Sequence, residues 1–159
     1  MIGITIIAVG KIKEKYFTDA IKEYAKRLSR FAKMNIIEIP DEKIPDNASE
    51  KECAAILEKE GAQILAKIPD NAYTIAMCIE GKPVSSEELA HKIADVSMTR
   101  SHIAFIIGGS LGLSDAVKSR ADTRVSFGKI TLPHQLMRVV LAEQIYRAFK
   151  INNNESYHK

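Results

Sequence analysis

The chain has 159 residues, 46% of them hydrophobic and 27% charged, which is enough for one well-buried core and short for two. The apolar start of the chain lacks a basic leader and a cleavage site, and no apolar run is long enough to span a bilayer, so we expect one soluble, cytoplasmic domain over residues 1–159 that has no membrane partner. Two cysteines cannot build a disulfide framework or a zinc cluster, the four histidines lack metal-ligand spacing, and a net charge of +3 is too weak by itself to indicate nucleic-acid binding.

The pattern of apolar residues predicts strands that alternate with helices. Strands are expected over residues 2–9, 35–39, 73–79, 103–107 and, more weakly, 124–127. Helices are expected over about 16–31, 49–67, 85–99 and 134–151, with a short one after Ser114. Ser49 with Glu52, and Ser85 with Glu88, have the spacing of a capping box. This alternation predicts an α/β fold whose sheet is mostly parallel and flanked by helices.

Three loops should meet at one edge of that sheet, because the carboxyl ends of parallel strands lie together. They comprise residues 79–81, 107–110 and 127–132, and each contains glycine. Glycines allow main-chain N–H and C=O groups to approach a ligand closely. The sequence therefore predicts a pocket that binds a purine or an amino-acid group through the main chain. Cys53 and Cys78 are expected to be buried structural thiols.

The spacing of Gly108, Ser110 and Gly112 matches the nucleophile elbow of serine hydrolases, between a strand and a helix. In that alternative, Ser110 is the nucleophile, His134 the base, and Asp115 or Asp122 orients the base. The chain is short for such an enzyme, Asp115 adjoins the serine loop, and no glycine-rich oxyanion loop precedes Ser110. The hydrolase hypothesis is therefore the weaker one.

Two surfaces have expected partners. The last predicted helix is apolar around most of its circumference, which favours a twofold homodimer interface over a purely internal core helix. Residues 1–33 carry eight Lys or Arg against three Asp or Glu, whereas residues 34–70 carry four against nine. The basic segment fits either a face that contacts phosphates or an ordinary solvated helix. Arg138, among apolar neighbours, must be paired or must bind an anion.

The whole chain resembles one family, the ribosomal large-subunit pseudouridine N3-methyltransferases of the SPOUT superfamily. The resemblance depends on several motifs that occur together in the same order. These are residues 7–11 with Lys15 and Tyr16, residues 80–82, residues 106–110 with Gly112 and Leu113, residues 126–138, residues 143–148, and the terminal Tyr157, His158 and Lys159.

The resemblance implies a SPOUT-type α/β fold with a trefoil knot after about residue 73, and S-adenosylmethionine as methyl donor. It implies N3 methylation of a pseudouridine in 23S ribosomal RNA, on the assembled ribosome, by a homodimer. Carried over by position, the donor site comprises Met77, Gly108, Phe127, Gly128, Lys129, Ile130, Thr131 and Leu132. Family members often have leucine where Met77 stands, a change that preserves volume.

The same resemblance suggests catalytic candidates. Arg138 is expected to stabilise charge on the base or to hold a phosphate, and His158 is a candidate general base. Tyr157 is expected to stack on the base, from a tail that folds over the pocket. A tail that merely binds RNA, and a ribosome-associated factor without catalysis, remain alternatives.

Overall fold

The computed structural model describes residues 1–159. Its strands are β1 (Ile2–Val9), β2 (Ala32–Ile39), β3 (Tyr73–Pro83), β4 (His102–Ile107) and β5 (Thr123–Ser126). Its helices are α1 (Lys15–Leu28), α2 (Glu50–Lys67), α3 (Ser86–Ser97), α4 (Asp115–Arg120) and α5 (His134–Asn152). No helix is both long and apolar enough to cross a membrane.

All five strands form one parallel sheet in the order β2-β1-β4-β3-β5. The predicted α/β fold with a parallel sheet and flanking helices is therefore confirmed. Residues alternate between two cores along β1: Ile4, Ile6 and Ala8 pack beneath α3 and α5, whereas Ile7 and Val9 pack beneath α2 and α4. Because both faces of the sheet are covered, the strands are almost continuously apolar.

Side chains cap three helices at the predicted positions. Ser49 accepts a hydrogen bond from the N–H of Glu52, whose side chain accepts one from Ser49 N–H, a complete capping box. The side chains of Ser85 and Ser114 accept hydrogen bonds from the N–H groups of Glu88 and Val117, at the starts of α3 and α4. At Ser85 the reciprocal hydrogen bond from its N–H to the Glu88 side chain, which would complete the predicted capping box, does not form. Local capping thus fixes where these helices begin.

Four strands differ from the predicted ranges, and β4 differs only in that it begins one residue earlier, at His102. β2 begins at Ala32 because it pairs with β1 along its full length, and as an edge strand it tolerates polar residues that hide it in the sequence pattern. β3 continues to Pro83 because it pairs with β5 again beyond a bulge between Met77 and Lys82. β5 lies one residue earlier than predicted. Cys53 and Cys78 are only half-buried, so the expectation of buried thiols was wrong.

Helix α5 lies on the sheet between α1 and α3. Leu141, Ala142, Ile145 and Ala148 are buried there, so part of its apolar surface belongs to the core of its own chain. Leu136, Val139 and Val140 are only half-buried and occupy the outer side of its first half. If a dimer forms through α5, these residues are the apolar surface that is available to it.

Candidate active site

A cavity of about 930 Å³ opens at the carboxyl ends of β4, β3 and β5. The three loops that the sequence placed together all contribute to its wall, as do Lys118 of α4 and the start of α5. Seven of the eight predicted donor-site residues line it, namely Met77, Gly108, Phe127, Gly128, Ile130, Thr131 and Leu132. Lys129 is exposed and does not line the cavity. The residues on either side of Lys129 therefore line the cavity, whereas the Lys129 side chain faces solvent.

Gly108 shapes the bottom of the pocket because it lies against the main chain of the next turn. Gly112 N–H donates to the carbonyl of Gly109 at 3.0 Å, and Gly112 has φ +81°, which favours glycine. A Cβ on Gly108 would overlap the carbonyl group of Gly112. Any side chain at Gly108 would therefore displace the turn that forms this wall.

The opposite wall is held by local hydrogen bonds and by an ion pair. Ser126 Oγ accepts from Gly128 N–H and donates to Gly128 C=O, both at 3.1 Å, which fixes the start of the 127–132 loop. Lys118 pairs with Glu80 at 2.5 Å, and this hydrogen bond lowers the pKa of Glu80. The β3 bulge needs Gly81, since a Cβ there would lie 2.8 Å from main-chain atoms of Val125.

The pocket lacks the arrangement of a nucleophilic enzyme. Ser110 is exposed, and no hydrogen bond joins it to His134. Asp122 instead accepts from Thr74 N–H at 2.8 Å, near the beginning of β3 and away from Ser110. Burial raises the pKa of the Cys78 thiol, so it is protonated at neutral pH and is not a reactive thiolate. The geometry thus counts against the hydrolase alternative.

Arg138 is fully buried and lies behind the pocket, not in its wall. Its Nη1 donates to Glu38 at 2.9 Å, and its Nη2 donates to the carbonyls of Val9 and Gly10 at 3.2 and 2.6 Å. Burial lowers the pKa of the guanidinium, which Glu38 opposes, and an arginine remains charged in such a setting. Of the two alternatives for Arg138, pairing is the one found. The residue ties the start of α5 to the ends of β1 and β2.

Replacing Arg138 by alanine is expected to lower the free energy of unfolding by about 2–4 kcal/mol, because a cavity forms and two buried carbonyls lose their donor. Urea unfolding measures this change. Glu38→Gln is the comparison variant: it keeps an oxygen acceptor for Nη1 but removes the counter-charge of a buried guanidinium, so it should cost about 1–2 kcal/mol, less than the alanine variant. An alanine variant as stable as the parent protein would contradict a structural role for Arg138.

The tail does not fold over the pocket of its own chain but packs along the far end of α5. The Tyr157 ring packs edge-on against Tyr146 with centroids 5.0 Å apart, and the guanidinium of Arg147 lies 4.8 Å from its centroid. His158 Nε2 contacts Glu87 at 2.6 Å, and this hydrogen bond lowers the pKa of Glu87. Tyr146 lies nine residues beyond Met137 on α5, so the tail lies roughly 14 Å along the helix from the pocket.

Other residues near the pocket were not part of the donor site expected from sequence, where His134 was considered only as the base of the hydrolase alternative. Met137 lines it, and His134 lines both it and a cavity of about 180 Å³ on the far side of the 109–111 loop. Glu60 lies in that smaller cavity, where burial raises the pKa of its carboxyl. His134 and Met137 belong to the first turn of a helix that the sequence predicted, but the donor site carried over from the resemblance ended at Leu132.

Comparison with known proteins identifies the family of this chain. Residues 2–158 match the family model described as "Predicted SPOUT methyltransferase". The chain is 60% identical to a protein of Clostridium novyi, 59% to one of Lactobacillus acidophilus and 56% to one of Listeria monocytogenes. Each alignment covers 158 residues and 99% of both chains, and each protein is named "Ribosomal RNA large subunit methyltransferase H".

A solved structure shares the fold at much lower identity. It is described as "a probable methylase family protein from Haemophilus influenzae Rd KW20", and it matches with a TM-score of 0.53 and 14% identity over 99% of this chain and 70% of that one. The family model spans nearly the whole sequence, and relatives more than half identical cover it from end to end. The chain therefore belongs to the SPOUT methyltransferase family.

Proposed function

We propose that this protein transfers a methyl group from S-adenosylmethionine to N3 of a pseudouridine in large-subunit ribosomal RNA. The observation that carries the proposal is the pocket at the ends of β4, β3 and β5, formed by three loops rich in main-chain groups. The names of the similar proteins support the ribosomal RNA substrate. Such a substrate would place the protein in the cytoplasm with the ribosome.

The residues present fit the donor. Gly108 offers main chain without a side chain at the bottom of the pocket, and Met77, Ile107 and Leu132 offer apolar surface for a purine ring. The sulfonium of the bound donor supplies the electrophilic methyl carbon. The role of the chain is to fix that carbon in line with the ring nitrogen of the substrate base and to exclude competing water.

The base must reach the pocket together with groups that assist loss of its N3 proton. Within one chain, the tail with Tyr157 and His158 is too distant, but a twofold dimer can bring it close. If two α5 helices pack antiparallel through Leu136, Val139 and Val140, Leu136 of one subunit faces Val140 of the other, and the level of Arg147 falls just beyond the start of the partner's α5, where the 127–132 loop lies. The tail of one subunit would then lie beside the pocket of its partner. In this arrangement His158 acts as general base and Tyr157 stacks on the substrate base.

Arg138 takes a different place in this proposal from the one expected from sequence. Its buried hydrogen bonds to Glu38 and to the end of β1 leave only Nε without a partner. We assign it as a positioning residue that holds the beginning of α5, and with it His134 and Met137, against the pocket.

Isothermal calorimetry with S-adenosylmethionine and with its demethylated product tests the donor site. We expect saturable binding of both, in the micromolar range typical of enzyme ligands. The absence of binding at millimolar donor would contradict the methyltransferase proposal and favour a ribosome-binding factor without catalysis. Hydrolysis of a neutral ester that is lost in a Ser110→Ala variant would support the hydrolase instead.

A further inference from the structure

The segment of residues 11–16, here called the entry segment, follows β1 and runs beside the mouth of the pocket. Its main chain is fixed at two points: Ile12 N–H donates to Glu38 at 2.9 Å, and Lys13 N–H donates to the side chain of Gln135 at 3.2 Å. Just before it, a Cβ on Gly10 would lie 3.1 Å from Nε2 of His134, which lines the pocket. The entry segment is therefore anchored to the first turn of α5, next to the site.

The side chains of the entry segment face solvent although its main chain is held. Lys11, Lys13 and Lys15 are exposed, and Glu14 is the one acidic residue among them. Lys15 also pairs with Asp19 at 2.7 Å, whereas Lys11 and Lys13 have no acidic side chain within ion-pair distance. Two cations with no ion-pair partner thus lie beside the pocket mouth.

An exposed aromatic ring ends the entry segment. Tyr16 is 63% exposed, and its ring rests on Phe17 with centroids 4.5 Å apart, so one ring supports the other while much of Tyr16 stays open. A supported ring next to cations is the arrangement by which proteins bind single-stranded nucleic acid: bases stack on the ring and phosphates contact the cations. Because most of the Tyr16 ring is exposed, packing within the chain does not account for an aromatic residue at this position.

The entry segment is basic, whereas the smaller cavity beside the 109–111 loop is mostly acidic. Asp41, Glu42 and Lys43, from the loop after β2, line the smaller cavity. The buried Glu60 of α2 lines it as well. A phosphate chain is repelled there and attracted along the entry segment. The charges of the two loops that follow β1 and β2 therefore set the direction in which an RNA strand leaves the pocket.

We propose that the entry segment is the binding surface for the single-stranded RNA that flanks the reacting nucleotide. Lys11 and Lys13 contact its phosphates, and Tyr16 stacks on a neighbouring base. The inference deepens the proposed function, because it assigns the surface that holds the substrate strand while the pocket holds the donor and the reacting base.

The test is steady-state methyl transfer to large ribosomal subunits from cells that lack the activity, measured with Lys11→Ala/Lys13→Ala and with Tyr16→Ala. We expect the double variant to raise KM for the subunits about tenfold with kcat within about twofold, and to reduce the slope of log KM against log salt by about 0.7 for each lost phosphate contact. Tyr16→Ala should raise KM by about five- to fiftyfold, and Tyr16→Phe should restore it.

Lys33→Ala/Lys67→Ala is the matched control, because Lys33 lies near the start of β2 and Lys67 at the end of α2, at the opposite edge of the sheet, and both are exposed. It should leave KM unchanged. Unchanged KM in the entry-segment variants overturns the inference, and so does a raised KM with an unaltered salt slope, which would indicate contact with ribosomal protein. Failure of the proposed function is distinct: the wild-type protein itself would then transfer no methyl group.

Discussion

Replacing Gly108 by alanine is expected to weaken binding of S-adenosylmethionine by about 10- to 100-fold. The added Cβ would overlap the carbonyl of Gly112, so the 108–112 turn must move and the main-chain groups that it presents to the donor lose their geometry. Loss of one or two hydrogen bonds of about 1–1.5 kcal/mol each gives a change of that size. Calorimetry with the donor measures it directly.

Gly3→Ala is the matched control for this variant. Its Cβ would also meet close neighbours, the ring atoms of His102 at 2.5 and 2.8 Å, but Gly3 lies at the start of β1, at the edge opposite the pocket. Both variants should lose stability, and only Gly108→Ala should lose donor affinity. Equal donor affinities in the two variants would place the donor away from the 108–112 turn.

Removing Tyr157, His158 and Lys159 is expected to lower methyl transfer at least about tenfold, the lower range for loss of positioning and general-base help. Donor affinity should be nearly unchanged, because the tail does not line the pocket of its own chain and, in the proposed dimer, contacts the substrate base and not the donor. The loss of stability should be small, about 1 kcal/mol, since the contacts that disappear are those of Tyr157 and His158 with Tyr24, Tyr146, Arg147 and Glu87. Rates with large subunits, calorimetry and thermal melting separate the three quantities.

A mixture of two defective proteins tests which subunit the tail serves. Tail-truncated and Gly108→Ala subunits, unfolded together and refolded at equal amounts, form half mixed dimers, in which one site combines an intact pocket with an intact tail from the partner. About a quarter of wild-type activity should therefore return if the tail acts across the dimer. No recovery, with mixed dimers verified by affinity tags, would mean that the tail acts within its own chain or only binds RNA.

Much of the fold followed from local patterns. The alternation of strands and helices predicted the parallel sheet, and the rule that parallel strands end at one edge placed the loops 79–81, 107–110 and 127–132 together. Met77 followed only from the family resemblance. Capping residues such as Ser49 marked helix starts because they act on neighbours within one turn. These features depend on short-range chemistry that a sequence displays directly.

What the sequence did not reveal depends on partners distant in the chain. Arg138 pairs with Glu38, 100 residues away, and nothing in the spacing of either residue indicates the other. The docking of the tail has the same cause: His158 packs against Glu87, 71 residues earlier, so an end that looked free has a docking surface. Half of α5 is core because α1 and α3 flank it, which its own apolar pattern could not distinguish from a dimer interface. The trefoil knot and the homodimer remain predictions.

The most direct test of the proposed activity is transfer of labelled methyl from S-adenosylmethionine to large ribosomal subunits of a strain that lacks the activity, followed by nuclease digestion and mass spectrometry of the nucleosides. The proposed function predicts one labelled methyl group per subunit, on N3 of a pseudouridine, and loss of the label with Gly108→Ala. Label on ribosomal protein or on a different nucleoside, or no incorporation by a wild-type protein that binds the donor, would contradict it.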